Sequence, residues 1–445
     1  MTAAPDPLRP LDIDHDPAAS PYSGRSHAQL AELARELLLA GHLIDRSGMP
    51  RLISRFGRDA MRDVAIDEWM AASPIYTGRM QRLLGFEGDT VETIFKGMQL
   101  DVGAPPEFMD FRYVVHDDAH GEFHLDHCGA LMDVEPMGDD YVRAMCHDIE
   151  DPTFDATAAA SNPRAKVRPI HRPPRVPADR SPHCAWTVTV NADAEPLPFP
   201  PQAEQLATSN AARLSLAVAP SDLATDDGWN DYTAGLDPDL VMERFSSATL
   251  ARISDEVCLQ GHLLSRAFLV HVAERSSGPE AVEIGAKQLC GIAGVAAKRL
   301  AAMLGVSADL DGIAAVLSVH PMFLPRTYAE LCLQRVDDGE VLLVSLARGP
   351  GTDEDDGLTW PAILADVGDA GLRSAVQCVA PQAVIERVAA VGPATDRTVG
   401  GAPDVEVAAA WRVRIDPMAD PVRQPDEVTL TEFSTGTDFH FERRT

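Results

Sequence analysis

The chain has 445 residues, of which 45% are hydrophobic and 24% charged, so it is long enough for two or three domains with buried cores. Its 68 acidic residues against 38 Lys and Arg give a formal net charge of −30, which disfavours binding to nucleic acids and to anionic membrane surfaces. The sequence has neither an apolar run long enough to span a membrane nor a secretory signal pattern. It therefore predicts a cytoplasmic protein with reduced cysteines.

The first 24 residues are rich in Pro, Asp and Ala, which predicts a disordered tail. A helix is predicted to begin after Ser26, because Gln29 three residues later completes a capping box. Strand-like segments at Tyr113–Val115 and Phe123–Met132 flank a predicted hairpin turn over residues 116–121.

Further along the chain, the pattern predicts a helix over Gly138–Asp148 and a strand over Trp186–Val190. The stretch that follows is rich in Pro, Asp and Ala and poorly periodic. We interpret it as a linker that contains a short helix around Ala203–Leu214.

An internal repeat is indicated by Ala40–Arg46, which matches Gln260–Arg266. The same spacing pairs Arg79 with Arg299, Leu84-Gly85 with Leu304-Gly305, Pro105 with Pro325, and Asp117-Asp118 with Asp337-Asp338. We call this spacing the repeat offset. We predict an α+β fold that is a tandem pseudo-repeat of two helix-plus-antiparallel-sheet domains. The predicted boundaries are a tail at 1–24, a first repeat at 25–192, a linker at 193–239, a second, degenerate repeat at 240–420 and a tail at 421–445.

The two copies differ in the residues that carry chemistry. Our alignment places His127 and Cys128 of the first copy on Ser345 and Leu346 of the second, and His183 and Cys184 on Ala408 and Ala409. The framework persists whereas the sulfur and imidazole groups do not. This difference favours chemistry in the first copy, with a structural or apolar binding role for the second.

Thiols and imidazoles are concentrated in the first copy. Seven of the 14 histidines and three of the seven cysteines lie between His116 and Cys184, and they include the pairs His127-Cys128, Cys146-His147 and His183-Cys184. These are ligands that zinc prefers, although no zinc-finger or HExxH spacing is present. Buried packing cysteines are the alternative, and we assign Cys258, Cys290, Cys332 and Cys378 to the core outright.

Strand alternation refines the ligand set. On a regular strand, Glu122, His124, Asp126 and Cys128 would share a face away from the core, and His127 would be a buried, hydrogen-bonded histidine. His116 and His120 lie in the predicted turn and are expected to be solvated.

The segment 124–190 resembles the L-2-amino-thiazoline-4-carboxylic acid hydrolase-like domain, which is similar to the 4-vinyl reductase domain of small-molecule sensors. The resemblance rests on a strand that ends in Cys128, a helix that carries Cys146, a basic strand, and Cys184 before an aromatic strand. It implies a pocketed α+β domain. In the sensor branch three cysteines and a carboxylate hold a structural zinc, which would assign Cys128, Cys146 and Cys184 as ligands. The fourth ligand stays open among His147, His183, His124 and Glu122.

A basic segment stands out in this acidic chain. Arg168, His171 and Arg172 are candidates for binding a carboxylate or phosphate of the substrate beside the metal site. The alternative is a solvated strand face, held at a sheet edge by the neighbouring prolines.

Three functional hypotheses follow. The first is a hydrolase that depends on zinc or another divalent metal and acts on a cyclic amidine or amide C–N bond. In that case His147, His183 and Asp148 would be catalytic, and His147 would complete the metal site of Cys128, Cys146 and Cys184. The second is a non-catalytic small-molecule-binding protein with a structural zinc, and the third is a scaffold or partner subunit. A homo-oligomer is compatible with all three.

Overall fold

The computed structural model describes residues 20–223, 225–388, 406–434 and 436–440. It shows the predicted α+β fold, with two four-stranded antiparallel sheets in two halves of the chain. Residues 1–19 of the predicted N-terminal tail lie outside the described residues. Close to that tail's end, Tyr22 is buried, and its hydroxyl donates a hydrogen bond of 2.5 Å to Asp255 Oδ1.

The first half begins with two long helices and ends with a sheet and two short helices. Its elements are α1 (His27–Phe56), α2 (Arg58–Leu84), α3 (Val91–Met98), β1 (Met109–Asp117), β2 (His120–Cys128), α4 (Gly129–Val134), α5 (Asp139–Arg143), α6 (Glu150–Ala159), β3 (Ala165–His171), β4 (Cys184–Val190), α7 (Pro201–Leu206) and α8 (Asn210–Arg213). A π-helical turn, Ala144–Ile149, joins α5 to α6.

Local sequence signals account for the ends of the long helices. The capping box predicted at Ser26 is present at the start of α1, with Gln29 at N3. Helix α2 ends at Gly85, whose φ of 69° lies in the left-handed region, where a residue without Cβ is least strained.

The first sheet has the strand order β1-β2-β4-β3. The predicted hairpin is confirmed, because β1 ends at Asp117 and β2 begins at His120, and the side chains of His116 and His120 are exposed. The prediction that the second strand runs to Met132 was wrong. The strand stops at Cys128, since its Sγ accepts a hydrogen bond from the Leu131 amide and caps α4.

The expected orientation of Cys128 was also wrong. Cys128 is 4% exposed and lies in the core, whereas Asp126 is exposed and His127 is half-buried. The regular alternation fails because the pairing of β1 with β2 shifts register between Met109 and Phe111. A bulge of this kind turns the following side chains to the opposite face of the sheet.

The second half repeats this order of elements. They are α9 (Ser247–Arg275), α10 (Gly278–Leu304), α11 (Leu310–Ser318), β5 (Leu331–Val336), β6 (Val341–Ala347), α12 (Trp360–Ala362), α13 (Ala370–Val379), β7 (Ala383–Arg387), β8 (Val407–Ile415) and α14 (Asp426–Thr431). Its sheet has the order β5-β6-β8-β7, and a π-helical turn at Ile363–Val367 follows α12.

The repeat offset holds for the helices. The first residues of α9 and α10, Ser247 and Gly278, are the counterparts of those of α1 and α2, and Gly305 ends α10 with a φ of 62°, as Gly85 ends α2. The strand alignment needs a correction of three residues. Leu125 pairs with Cys184 and Leu346 pairs with Ala409, so Leu346 corresponds to Leu125 rather than to Cys128.

The two halves contact each other as the subunits of a symmetric dimer do. Arg79 Nε lies 2.8 Å from Glu256 Oε2, and Arg299 Nε lies 2.6 Å from Glu36 Oε2. Each residue of the first pair is related to its counterpart in the second by the repeat offset. The same contact is therefore made twice, in opposite directions.

The segments that follow each sheet cross to the other half. After the first sheet, Asn210 Nδ2 donates to the Pro350 carbonyl at 3.0 Å. After the second sheet, Ser434 Oγ donates to Asp133 Oδ2 at 2.9 Å, so the region predicted as a C-terminal tail contains the packed helix α14. Each half thus contributes a segment that covers its neighbour.

One hydrophobic cluster extends through both halves, with Trp186 and Trp411 fully buried on the central strands of the two sheets. None of the helices in the described part of the chain is long and apolar enough to cross a membrane.

Candidate functional site

A cavity of about 430 Å³ lies in the first half, bounded by α1, α2, β1 and the π-helical turn. Its volume is within the range of sites that hold small organic molecules. Three residues of the second half's C-terminal segment, Leu430, Phe433 and Ser434, complete the wall.

Most of the cavity wall is apolar. Methionine and aromatic side chains dominate it, and they are Met49, Met61, Met98, Met109, Met137, Met145, Trp69, Phe111, Tyr141 and Phe154. Methionine is unbranched and polarisable, so a wall rich in this residue adapts to ligands of different outline.

One end of the cavity is acidic, and we call it the acidic end: Asp45, Asp101 and Trp69. Trp69 Nε1 donates to Asp45 Oδ2 at 3.0 Å, and the Tyr76 hydroxyl donates to Asp101 Oδ1 at 2.9 Å. Burial raises the pKa of both carboxyl groups, that of Asp101 to about 6. Both acids line the cavity on a wall that offers them few partners.

A third acid lies behind this end. Glu68 is fully buried, and its carboxyl group shares a hydrogen bond with that of Asp45. Burial, and then the nearby charge of Asp45, raises the pKa of Glu68 well above its usual value. The protonated form of Glu68 is therefore favoured, which suits a hydrogen bond between two carboxyl groups.

His42 is a further polar group at the cavity wall. It is buried, its Nδ1 lies 3.2 Å from the Val102 carbonyl, and its Nε2 has no partner among the described residues. Burial lowers the pKa of His42 well below its usual value, so the ring is neutral.

The three cysteines that the resemblance implies as ligands are all buried. Together with Glu150 they form what we call the thiol cluster: Cys128, Cys146, Cys184 and Glu150. Burial, and then the charge of Glu150, raises the pKa of each thiol, that of Cys128 to about 12. The four groups therefore lie within electrostatic range of one another, although they are distant in sequence.

Glu150 connects the thiol cluster to the cavity, because it also lines the cavity wall. Burial raises its pKa to about 8, and its Oε2 has no hydrogen-bond partner among the described residues. The π-helical turn makes this placement possible, since it carries Cys146 inward and Ala144 and Met145 to the cavity. Such π turns often occur at functional sites.

Zinc fits this cluster in donor chemistry, because three thiols, a carboxylate and burial are typical of structural zinc sites. The positions of the side chains do not by themselves define a site. Over residues 20–223, 225–388, 406–434 and 436–440, no three His, Cys, Asp or Glu side chains are arranged to hold a metal ion.

The residues predicted to be catalytic do not line the cavity. His147 Nε2 lies 2.7 Å from the Pro173 carbonyl, and His183 Nδ1 accepts a hydrogen bond of 3.1 Å from the Cys128 amide. Asp148 is half exposed, 3.8 Å from Arg62. His183 and His147 thus border the thiol cluster, whereas Asp148 faces the surface.

The predicted basic clamp also lies outside the cavity. Arg168 pairs with Asp155 at 2.9 Å, on the edge strand β3. Arg172 pairs with Asp151 at 2.5 Å, and its guanidinium lies 5.7 Å from the centre of the Trp186 ring. His171 is the last residue of β3, and burial lowers its pKa. These contacts match the alternative of a strand face with paired charges.

The remaining candidates for a fourth ligand point to the surface. His124 lies 3.4 Å from Asp126. Glu122 lies 3.5 Å from His116, and both of these side chains are half exposed. Glu150 was not among these candidates, and it is the carboxylate whose charge raises the pKa of all three thiols.

The acidic end was missed in the sequence, although one signal for it was present. Glu68 lies four residues after Val64 and four before Ala72, both of which are buried, so helical periodicity places it on the buried face of α2. No comparable signal marks Asp101, which lies between α3 and β1.

Comparisons of the chain with protein-family models, with curated proteins and with solved structures give no match. The cavity and the two clusters beside it therefore carry the functional argument alone.

Proposed function

We propose that the protein binds a small, largely apolar molecule in the cavity of its first half, in the cytoplasm. The observation that carries the proposal is the cavity of about 430 Å³ with its methionine-rich and aromatic wall. Unfilled apolar space in a core is destabilising, so a cavity of this size is better explained by a ligand than by packing. The acidic end and Glu150 supply the few polar groups that would orient such a ligand.

The same proposal assigns a structural zinc ion, or another divalent metal, to Cys128, Cys146, Cys184 and Glu150. Bound there, the ion would supply fixed cross-links between β2, β4 and the π-helical turn. The π-helical turn carries part of the cavity wall, so the metal would stiffen that part of the wall without taking part in a reaction. The ligand set agrees with the three cysteines and carboxylate that the resemblance implies.

Hydrolysis of a C–N bond is the second candidate, and one observation favours it. Asp101 and Glu150 both line the cavity, and burial raises the pKa of the first to about 6 and of the second to about 8. Groups that titrate near neutral pH are suited to general acid and base catalysis. Binding ranks first because His147, His183 and Asp148 lie outside the cavity.

Elemental analysis of the tag-free protein tests the metal. We expect about one zinc ion per chain. Cys128→Ser, Cys146→Ser, Cys184→Ser and Glu150→Gln should each lose it, whereas Cys258→Ser, a buried cysteine of the second half, should retain it. Full zinc occupancy in all four cluster variants would exclude this ligand set.

Displacement of a neutral fluorescent probe, N-phenylnaphthylamine, tests the cavity. The probe should bind with one site per chain, and Ala65→Phe, which fills the wall of the cavity, should abolish binding. Unchanged binding in this variant, with its folding checked by circular dichroism, would place the probe elsewhere. Turnover of amides and cyclic amidines that depends on Asp101 would instead promote the second candidate.

A further inference from the structure

The acidic end of the cavity has more hydrogen-bonding capacity than the protein uses. Both hydrogen bonds to the Asp101 carboxyl group go to Oδ1, from Tyr76 and from the Gly103 amide at 2.7 Å, and none goes to Oδ2. Asp45 accepts a hydrogen bond from Trp69 and shares another with the carboxyl group of Glu68. Asp101 is 6% exposed and lines the cavity, and no hydrogen bond from the described residues reaches its Oδ2. The acidic end thus keeps one free acceptor, on Asp101, beside a second carboxyl group, Asp45.

These two acids face the same part of the cavity. Trp69 donates to Asp45, and a Cβ built on Gly103 would lie 3.1 Å both from the Trp69 ring and from Asp101 Oδ1. Gly103, Trp69 and the two carboxyl groups therefore form one continuous patch of wall. Larger side chains at position 103 would cover this patch.

The charges that line the cavity do not balance. Four acids line it, namely Asp45, Asp101, Asp133 and Glu150. The guanidinium of Arg46 is already matched with Asp133 at 2.9 Å, although its Nη2 keeps a free hydrogen, and His42 is neutral. Burial raises the pKa of Asp45 and Asp101, and the charge of Arg46 offsets only part of this rise at Asp45.

We propose that the ligand of this cavity is a hydrophobic cation, an amine or amidine whose nitrogen is held by Asp45 and Asp101 and whose body lies against the methionines. This inference rests on the proposed binding function and specifies its ligand class. A cation would use the free oxygen of Asp101 and the negative charge of Asp45, and Trp69 places an aromatic ring beside it. The charge is opposite to that of the carboxylate or phosphate expected from Arg168, His171 and Arg172.

The test uses three probes that share one apolar body: phenylbutylamine, phenylbutanol and phenylbutyrate. Their affinities for the full chain are measured by calorimetry near neutral pH, and the fluorescence of Trp69, isolated by comparison with Trp69→Phe, reports binding at this wall. We expect the amine to bind at least about tenfold more tightly than the alcohol and the carboxylate to bind most weakly. Asp45→Asn and Asp101→Asn should each remove most of the amine's advantage and leave the alcohol unchanged.

Asp255→Asn is the matched control, because Asp255 is a buried acid whose pKa is also raised, to about 7, but it does not line the cavity. It should keep the full preference for the amine. Equal affinity for amine and alcohol would overturn the cationic ligand and leave the apolar cavity intact as a binding site. No binding of any probe would overturn both. Tightest binding of the carboxylate would assign the polar contact to Arg46 instead.

Discussion

The two halves of the chain share a framework and differ in what it encloses. Asp45, Glu68 and Asp101 of the first half correspond, by the repeat offset, to Ser265, Gln288 and Pro321 of the second. In the second half Trp360 is buried beside the long helices, and its Nε1 donates to Gln288 Oε1 at 3.3 Å. Uncharged residues thus occupy the positions that the three acids hold in the first half. The comparison teaches that the framework does not need these acids, so their presence beside the cavity of one half points to a ligand.

The largest expected effect concerns the framework itself. Arg79→Met would leave Glu256 buried without its partner, and we expect a loss of about 3–5 kcal/mol in the free energy of unfolding, measured by urea denaturation. Arg299→Met should cost less, because the side chains of its pair with Glu36 are 12% and 9% exposed, against 4% for each partner in the first pair. A negligible loss in Arg79→Met would show that the reciprocal contacts do not join the halves.

Exchanging the acid and amide at equivalent positions sharpens the comparison. Gln288→Glu would bury a carboxyl group in the second half, and we expect it to lower the free energy of unfolding by about 3 kcal/mol at pH ~7. Glu68→Gln should stabilise the first half by about 1–3 kcal/mol at the same pH. The folded-state pKa of Glu68 lies above its unfolded value, so the stabilisation should be present near pH 7 and vanish toward pH ~4.

If Glu68→Gln stabilises the protein equally at pH ~4 and pH ~7, ionisation of Glu68 is not the cause. Denaturation curves at several pH values measure this difference. Gln81→Glu, on the same helix, serves as a control, because Gln81 is buried but donates a hydrogen bond to Ser161 at 2.7 Å and belongs to neither cluster.

The acidic end should show its own pH dependence. Burial raises the folded-state pKa of Asp101 from 3.8 to about 6, so the wild type loses stability relative to Asp101→Asn as pH rises from about 4 to about 6. The difference should approach about 3 kcal/mol above pH ~6, because each pKa unit is equivalent to about 1.4 kcal/mol. Thermal unfolding across this range is the measurement. A cationic ligand should reverse the sign, because it stabilises only the ionised wild type.

The smallest effect concerns the segment that crosses from the second half. Ser434→Ala removes its hydrogen bond to Asp133, which keeps its pairing with Arg46, and we expect a loss of about 1 kcal/mol. The affinity of the cavity for N-phenylnaphthylamine should fall slightly, because the wall at Phe433 is held less firmly. Ser318→Ala, whose hydroxyl bonds within its own helix, is the control.

Much of the fold was predictable because it depends on local and repeated signals. The repeat offset, the capping box at Ser26 and the hairpin at 116–121 are properties of the sequence alone, and the structure confirms each. The strand alignment was wrong by three residues because the two hairpins differ in length: Leu331 and its partner Leu346 are one residue further apart in sequence than Phe111 and its partner Leu125. The register shift between Met109 and Phe111 explains why the burial of Cys128 was not anticipated.

The site was less predictable, because it is assembled from distant segments. The grouping of Cys128, Cys146 and Cys184 came from the resemblance, whereas Glu150 enters the cluster through a π-helical turn that no periodicity reveals. The cavity depends on a difference in side-chain volume between equivalent positions and on residues in and just after α14, which lie far along the chain from Asp133. Charge and residue type favoured Arg168, His171 and Arg172, but the structure pairs both arginines with nearby acids.

The dimer-like contact between the halves has a consequence for how this protein can evolve. It consists of the reciprocal pairs of Arg79 with Glu256 and of Arg299 with Glu36. In a homodimer every substitution appears in both subunits, so either both subunits acquire the cavity or neither does. Joining the two copies in one chain keeps the dimer-like contact and lets each copy accept substitutions alone. One copy can then lose stability to buried carboxyl groups and a cavity while the other, which has uncharged residues at the equivalent positions, compensates for it.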